Sequence, residues 1–185
     1  MAITLSWDLF VIAFSAIVIS YGFIIGKHES VKIILSAYIA VVAVQGIGNV
    51  LERLLGEPSP LFRILGIPVD VSLFSMLKLV TFTALMIFLA VRSGLSVSYE
   101  SESGTLVNVL LTALVGFATA GLLVVIVLTF VAGTPLLDPA LSATPSLAPI
   151  LAQSKLMQLM ALNQDLWFSL PALLLIGIGF INNRI

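Results

Sequence analysis

Cysteine is absent from the 185-residue chain, which excludes disulfides, thiolate nucleophiles, iron–sulfur clusters and cysteine-based zinc sites. Histidine occurs once, so a transition-metal centre has almost no ligand set to draw on, and no cofactor is implied. Charge is scarce too: Asp, Glu, Lys and Arg make up 9% of the residues, where soluble domains carry about 25%. So few ionised groups cannot clothe a water-facing surface. A net charge of −1 and the lack of any basic tract argue against a nucleic-acid partner. The opening "MAITLSWD" has no Lys or Arg, so the basic region of a secretory signal is missing and the first apolar run is expected to stay as a membrane helix.

Apolar residues fill the space that charge leaves. They make up 60% of the chain, and the mean hydropathy is +1.21. The expected fold is an all-α integral membrane protein, one polytopic domain over residues 1–185 with the lipid bilayer as its first partner. A span needs about 20 mostly apolar residues, each rising about 1.5 Å through a core roughly 30 Å thick. Segments 9–25, 31–50, 71–91 and 106–131 qualify, and in lipid they must be helices, which satisfy their own backbone groups. A fifth run, "LWFSLPALLLIGIGFI" at 166–181, is short. It reads as a short span with Pro171 in its first turn, or alternatively as an interfacial or re-entrant segment. Trp7 and Trp167 suit interface anchors at the starts of the first and fifth helices.

The connections differ in character. "GKHES" is a tight turn that should pair helices one and two antiparallel, while "GEPSPLFRILGIPVD" is expected to carry a short interfacial helix near residues 61–65. "RSGLSVSYESESG" is polar and exposed. "AGTPLLDPALSATPSLAP" holds four prolines and reads as an extended crossing loop. In "ILAQSKLMQLMALNQD" the apolar residues fall on no single clean face. With five spans, Lys27, Lys32, Arg92 and Arg184 lie on one side and Arg53, Arg63 and Lys155 on the other, a slight bias to an outside N-terminus.

Polar residues inside apolar runs are candidates for function. Ser72, Ser75, Lys78 and Thr81 recur every third residue and drift along one helical stripe. An ammonium at a helix centre costs about 2.5–3.5 kcal/mol on insertion scales, so Lys78 should face the bundle or a cavity. The alternative is snorkelling of its long stem to the headgroups. On helix two, Gln45, Asn49 and Glu52 follow helical spacing and form either a polar seam opposite Lys78, including a Glu52–Lys78 contact, or a helix end meeting water. Asp8 precedes the first span and suits a helix cap. No paired carboxylates, Ser–His arrangement or phosphate-binding glycine loop occurs, so an enzyme is not expected.

Small residues point to close packing. Gly22 and Gly26 in "GFIIG", with Ser15 upstream, form a small-xxx-small face, and Thr112, Gly116 and Ala120, followed by Gly121, repeat the device on helix four. Two such faces suggest a compact or self-associating bundle. Asp8, then Gly22, Phe23 and Gly26, then immediate charge and "ESVKIILSAYIA", resemble the colicin V production protein (CvpA) family. "LLTALVGFATAGLLVVIVLTFV", with Gly116 and Gly121, is similar to that family's glycine-bearing last core helix, and "SKLMQLM" to its Ser-led following segment. The likeness covers residues 7–50 and 105–160. It departs from the pattern at Ile24 and Ile25, where the family usually has basic residues, and in its fifth apolar run. The resemblance implies a multi-pass protein of the bacterial cytoplasmic (inner) membrane, linked to envelope function and colicin export, and it brings no catalytic residues. The expected role is a non-enzymatic accessory or scaffold in envelope maintenance or secretion, acting as a homo-oligomer or with other membrane proteins. The alternative is a small channel or transporter whose path is lined by the Lys78 stripe.

Overall fold

The computed structural model of the chain describes residues 6–55, 71–92 and 105–182. Among these residues every regular element is a helix. The first helical stretch, Trp7–Leu55, is broken at Gly26, where φ is 82° and ψ 172°. It comprises α1 (Trp7–Gly26) and α2, whose apolar part is His28–Val50 and which runs on to Leu55. Then come α3 (Val71–Arg92), α4 (Thr105–Ala132), a 3₁₀ turn (Leu141–Ala143), α5 (Ala148–Gln153), α6 (Lys155–Leu162) and α7 (Gln164–Asn182).

Helices α1 to α4 are each long and apolar enough to cross a membrane. The fifth apolar run behaves differently. The run at 166–181 lies within one helix, α7, and it is α6 and α7 together, bent by 72° at Asn163, that are long and apolar enough to span, as a broken span or a re-entrant pair would be. Its start also moves: α7 opens at Gln164 with Asp165 in the first turn, so Pro171 is interior to the helix and fully buried. Asp165 explains the earlier start, since an acid in the first turn complements the helix dipole.

The bundle is organised around α4. This helix packs on the α1–α2 hairpin, α3, α6 and α7. Within its apolar window 72% of the residues are buried inside the protein, against 6% for α3. An all-round apolar helix has no polar side to present to water and belongs at a centre. One core cluster joins Val11 of α1 and Val124, Val125 and Leu128 of α4 to residues from the chain after α4. The other joins Ile34 and Val41 of α2, Phe82 of α3, Val115 and Phe130 of α4, and Ile178 of α7.

Gly133 ends α4. At φ 70° its N–H reaches Phe130 C=O at 3.1 Å, and Thr134 N–H reaches Thr129 C=O at 3.3 Å, which is a Schellman cap. The following segment is not the extended loop its four prolines suggested. It folds back, burying Leu141 and Leu147 against Val124, Val125 and Leu128. Leucines spaced through a turn-rich stretch regain apolar burial that an extended crossing would forfeit, about 1.5–3 kcal/mol for each. The expected interfacial helix near 61–65 lies outside the described residues.

Candidate functional site

Three polar joints connect distant parts of the chain. At the first, Ser6 Oγ accepts from Leu9 N–H at 3.2 Å and caps α1. Asp8, expected to cap its own helix, is thereby released to act elsewhere. Its Oδ1 accepts from Ser154 Oγ–H at 2.5 Å and from Leu156 N–H at 3.1 Å. Ser154 is the N-cap of α6, and its Oγ accepts from Met157 N–H at 3.0 Å. Two orphan amides of α6 are satisfied together, one by the cap serine and one by an acid on another helix. Asp8 and the segment led by Ser154 thus meet in space.

At the second joint, the Tyr38 hydroxyl of α2 donates to the Phe168 carbonyl and faces Ala172 N–H, beside Pro171. Proline has no N–H for the helix ladder, so the phenol pins α7 where its backbone bonding is interrupted. At the third, Gln164 Nε2–H donates to Asp138 C=O, fixing the α6–α7 bend to the chain after α4.

The glycines sort into two roles. A Cβ at Gly22 would lie 3.9 Å from Gly116 Cα and 3.3 Å from Ser30 Oγ, and one at Gly116 would lie 3.1 Å from Ile19 Cα. These two glycines form the close approach of α1 to α4. A Cβ at Gly121 would lie 2.0 Å from Trp167 Cε3, so the indole sits directly on the α4 backbone. Trp167 is therefore an interior residue, packed edge-on to Phe117 at 5.3 Å, and not the interface anchor expected from sequence. Trp7 is exposed beside Phe10. Gly26 has no neighbour within 4 Å of an added Cβ. It is a conformational turn residue at positive φ, so its expected packing role is corrected. Phe23 of the same element is exposed.

The residues of the expected polar stripe lie along α3. Ser75, Lys78 and Thr81 are all half-buried, and the Lys78 stem lies over Gly48 of α2, where a Cβ would come 2.4 Å from Lys78 Cε. Gln45 is half-buried with its side-chain carbonyl enclosed, while Asn49 is exposed. The side chains of Ser72 and Glu52 lie outside the described residues, and with them the Glu52–Lys78 contact. Lys78 thus turns toward the middle of the expected seam.

Alongside the Asp8–Ser154 joint runs a groove of about 490 Å³ bounded by α1, α4, α6 and Trp167. Val11, Ile12, Ala16 and Ile19 form one wall and Leu156, Leu159 and Met160 the other. Ser15 and the Trp167 indole bring the only polar side-chain atoms to this lining, and the indole N–H is itself buried. A second, smaller cavity of about 160 Å³ lies between the hairpin, Met86 and Gly116, with Ser30 and Thr119 its polar side chains beside Tyr21. Among the described residues no group of three or more His, Asp or Glu side chains converges as a metal site would require. Nothing in the sequence signalled the groove, because its walls come from four separated segments. Comparison with protein-family models, curated proteins and solved structures gives no match.

Proposed function

We propose that the chain is a non-enzymatic, multi-pass membrane bundle of the CvpA-like type, serving as an accessory or scaffold in the bacterial cytoplasmic membrane. One observation carries this reading: the polar groups that cross between elements are spent on joints, and the large groove is walled by carbon. This arrangement favours a rigid body that presents apolar faces to its surroundings. Its outer surface supports the membrane part of the reading. Ile17 and Ile24 of α1 and Val80, Ile87, Phe88 and Val91 of α3 are exposed, more large apolar side chains than a water-facing surface usually carries. Resemblance supports the family part: Asp8 meets Ser154, and Gly22 meets Gly116.

The absence of cysteine makes the membrane reading directly testable. Single cysteines at Ile17, Phe88 and Leu114 should resist water-soluble maleimide in intact membranes and react after detergent denaturation. Labelling of all three in intact membranes would overturn the embedding. The scaffold role is tested by deletion and complementation. Wild type should restore the envelope barrier or secretion phenotype, and Gly116→Leu, which drives a side chain into the Ile19 backbone, should fail.

The second reading, a small channel or transporter, draws on Lys78 turning toward Gly48 and on the enclosed Gln45 carbonyl. Ion or solute flux in proteoliposomes that disappears in Lys78→Met would favour it over the scaffold.

A further inference from the structure

We infer that the first turn of α7 holds one buried water molecule, which bridges the Trp167 indole N–H to the Gln164 side-chain carbonyl and braces the α6–α7 bend. The inference stands whether the bundle serves as a scaffold or as a path.

The turn itself is closely built. Asn163, at φ −112° and ψ 36°, interrupts the helix, and its carbonyl accepts from Leu166 N–H at 3.1 Å and from Trp167 N–H at 3.3 Å. Gln164 and Trp167 therefore sit three residues apart in a closed first turn, on one face of α7. Both are more than nine-tenths buried, at 4% and 8% exposure. Both side chains are held on the side of α7 that meets α4 and the chain after it. Gln164 gives its Nε2–H to Asp138 C=O, while the Trp167 ring lies on Gly121 of α4 and packs edge-on to Phe117. Each side chain is thus fixed, and neither is free to seek a partner elsewhere.

Two polar atoms are left over by this packing. Among the described residues, Gln164 Oε1 and Trp167 Nε1 are buried with no hydrogen-bond partner, and they do not bond to each other directly. The side chains that share the indole's cluster, Val124, Val125, Leu141 and Met160 among them, are apolar and cannot receive the N–H. A buried group left in this state forfeits its solvation with nothing in return, and native interiors leave very few such groups.

The occupant follows from the pairing of one donor with one acceptor. A cation would be repelled by the indole N–H and an anion by the amide oxygen. Water accepts from the first and donates to the second, as buried waters commonly do for polar groups that the protein leaves unmatched. The spacing suits it as well. Side chains at i and i+3 leave a helix with Cβ atoms about 5–6 Å apart, and a water making two hydrogen bonds spans up to about 5.6 Å from donor to acceptor. The place is also one where water is expected, because a water seated at a break is one of the few causes of a sharp bend between helices, and α6 and α7 are bent by 72°.

The test uses the full chain, deuterated and with isotope-labelled tryptophan indoles, in lipid nanodiscs, and its probe is water itself. The chain has two tryptophans, so Trp7→Phe assigns the Trp167 signal. In the wild type the Trp167 indole proton should show a rotating-frame cross-peak to water of dipolar sign, the mark of a long-lived neighbour as opposed to proton exchange. A second such cross-peak should reach the side-chain amide of Gln164. Gln164→Met keeps the length of the side chain and removes its carbonyl, so the indole cross-peak should weaken about fivefold, the population change that loss of one hydrogen bond brings. The Gly121 α-protons, shifted by the ring above them, report whether the variant keeps its fold. Either cross-peak missing from the wild type overturns the bridge, as does an indole cross-peak undiminished in a folded Gln164→Met. A direct bond between the two side chains would give a hydrogen-bonded indole shift without a water cross-peak, and it overturns the bridge equally. If Gln164→Met loses the Gly121 shift, the wild-type pair of cross-peaks decides alone.

Discussion

Ser154 Oγ donates a 2.5 Å hydrogen bond to Asp8 Oδ1 across 146 residues of sequence. The contact turns an acid at the start of the first helix into a second cap for α6, because Leu156 N–H is satisfied by the same oxygen. It also fixes the mouth of the groove, since α1 and α6 form its two walls. Asp8→Ala is expected to lower the melting temperature, because two donors of α6 lose the acceptor they share. Ser154→Ala should lower it as well. The double variant should cost less than the sum, since the two side chains share one hydrogen bond. Asp8→Asn keeps an acceptor oxygen and should fall between wild type and Asp8→Ala. Thermal unfolding of the four proteins in one detergent measures the cycle, and strict additivity would show that the joint carries no energy.

Alanine at the glycines should rank by what each new Cβ meets. At Gly121 it would lie 2.0 Å from the Trp167 ring, a large rigid group, so overpacking of about 1–3 kcal/mol or more is expected. At Gly116 the neighbour is Ile19 Cα at 3.1 Å, and a small shift of α1 would relieve it, so the loss should be smaller. Gly46 has nothing within 4 Å and sits in a helix, where alanine is preferred by roughly 1 kcal/mol. Gly46→Ala should therefore raise the melting temperature. The order Gly121, Gly116, Gly46 is the prediction, and a Gly46 variant as damaging as Gly121 would break it.

Gly26 tests conformation separately from packing. Its φ of 82° has no space problem to accompany it. With ψ at 172° the residue lies in a region essentially restricted to glycine, where any β-carbon costs roughly 1–3 kcal/mol. Gly26→Ala and Gly26→Asn should thus both be destabilising, although neither side chain meets a neighbour at its β-carbon. A Gly26→Ala variant as stable as wild type would remove the conformational role.

Sequence patterning revealed much of this architecture, and the exceptions share a cause. Four long apolar helices and the turn at Gly26 are set by local composition and by a single glycine, so a window of the sequence contains the information. The α6 segment escaped because its buried face is Leu151, Ser154, Met157, Met160, Gln164 and Trp167. Those positions keep helical spacing, but two of them are polar, which hides the face from any count of apolar residues. Ser154 and Gln164 are buried because Asp8 and Asp138 C=O satisfy them, and those partners are distant in sequence. Pro171 was misplaced for the same reason. The helix start depends on Gln164 and Asp165 lying upstream of the apolar run, not on the run itself. The groove could not be read at all, since a shape between four segments exists only after folding.

Tyr38 offers a clean probe of the α2–α7 joint. Tyr38→Phe removes only the hydroxyl, so the ring keeps its place beside the second core cluster. The Phe168 carbonyl loses the phenol's hydrogen bond, next to the Trp167 carbonyl, for which Pro171 has no helical N–H to donate. A loss of about 0.5–1.5 kcal/mol is expected, with faster hydrogen exchange confined to the first half of α7. A variant with unchanged exchange there would mean that the phenol is a passenger of packing.

Lys78 decides between the two functional readings. Its stem covers Gly48, where the atom that an added Cβ would meet first is Lys78 Cε, toward the far end of a flexible chain. Gly48→Ala should therefore be accommodated by a shift of the lysine stem. Lys78→Met keeps an unbranched stem of similar length over Gly48 and removes the charge, whose burial at a helix centre costs about 2.5–3.5 kcal/mol. For a scaffold, that change should leave complementation intact. For a conducting path, flux and complementation should both collapse while the protein remains folded. Running complementation, flux and thermal unfolding on the same Lys78→Met preparation separates these outcomes, since only a path through the bundle needs the ammonium without needing it for stability.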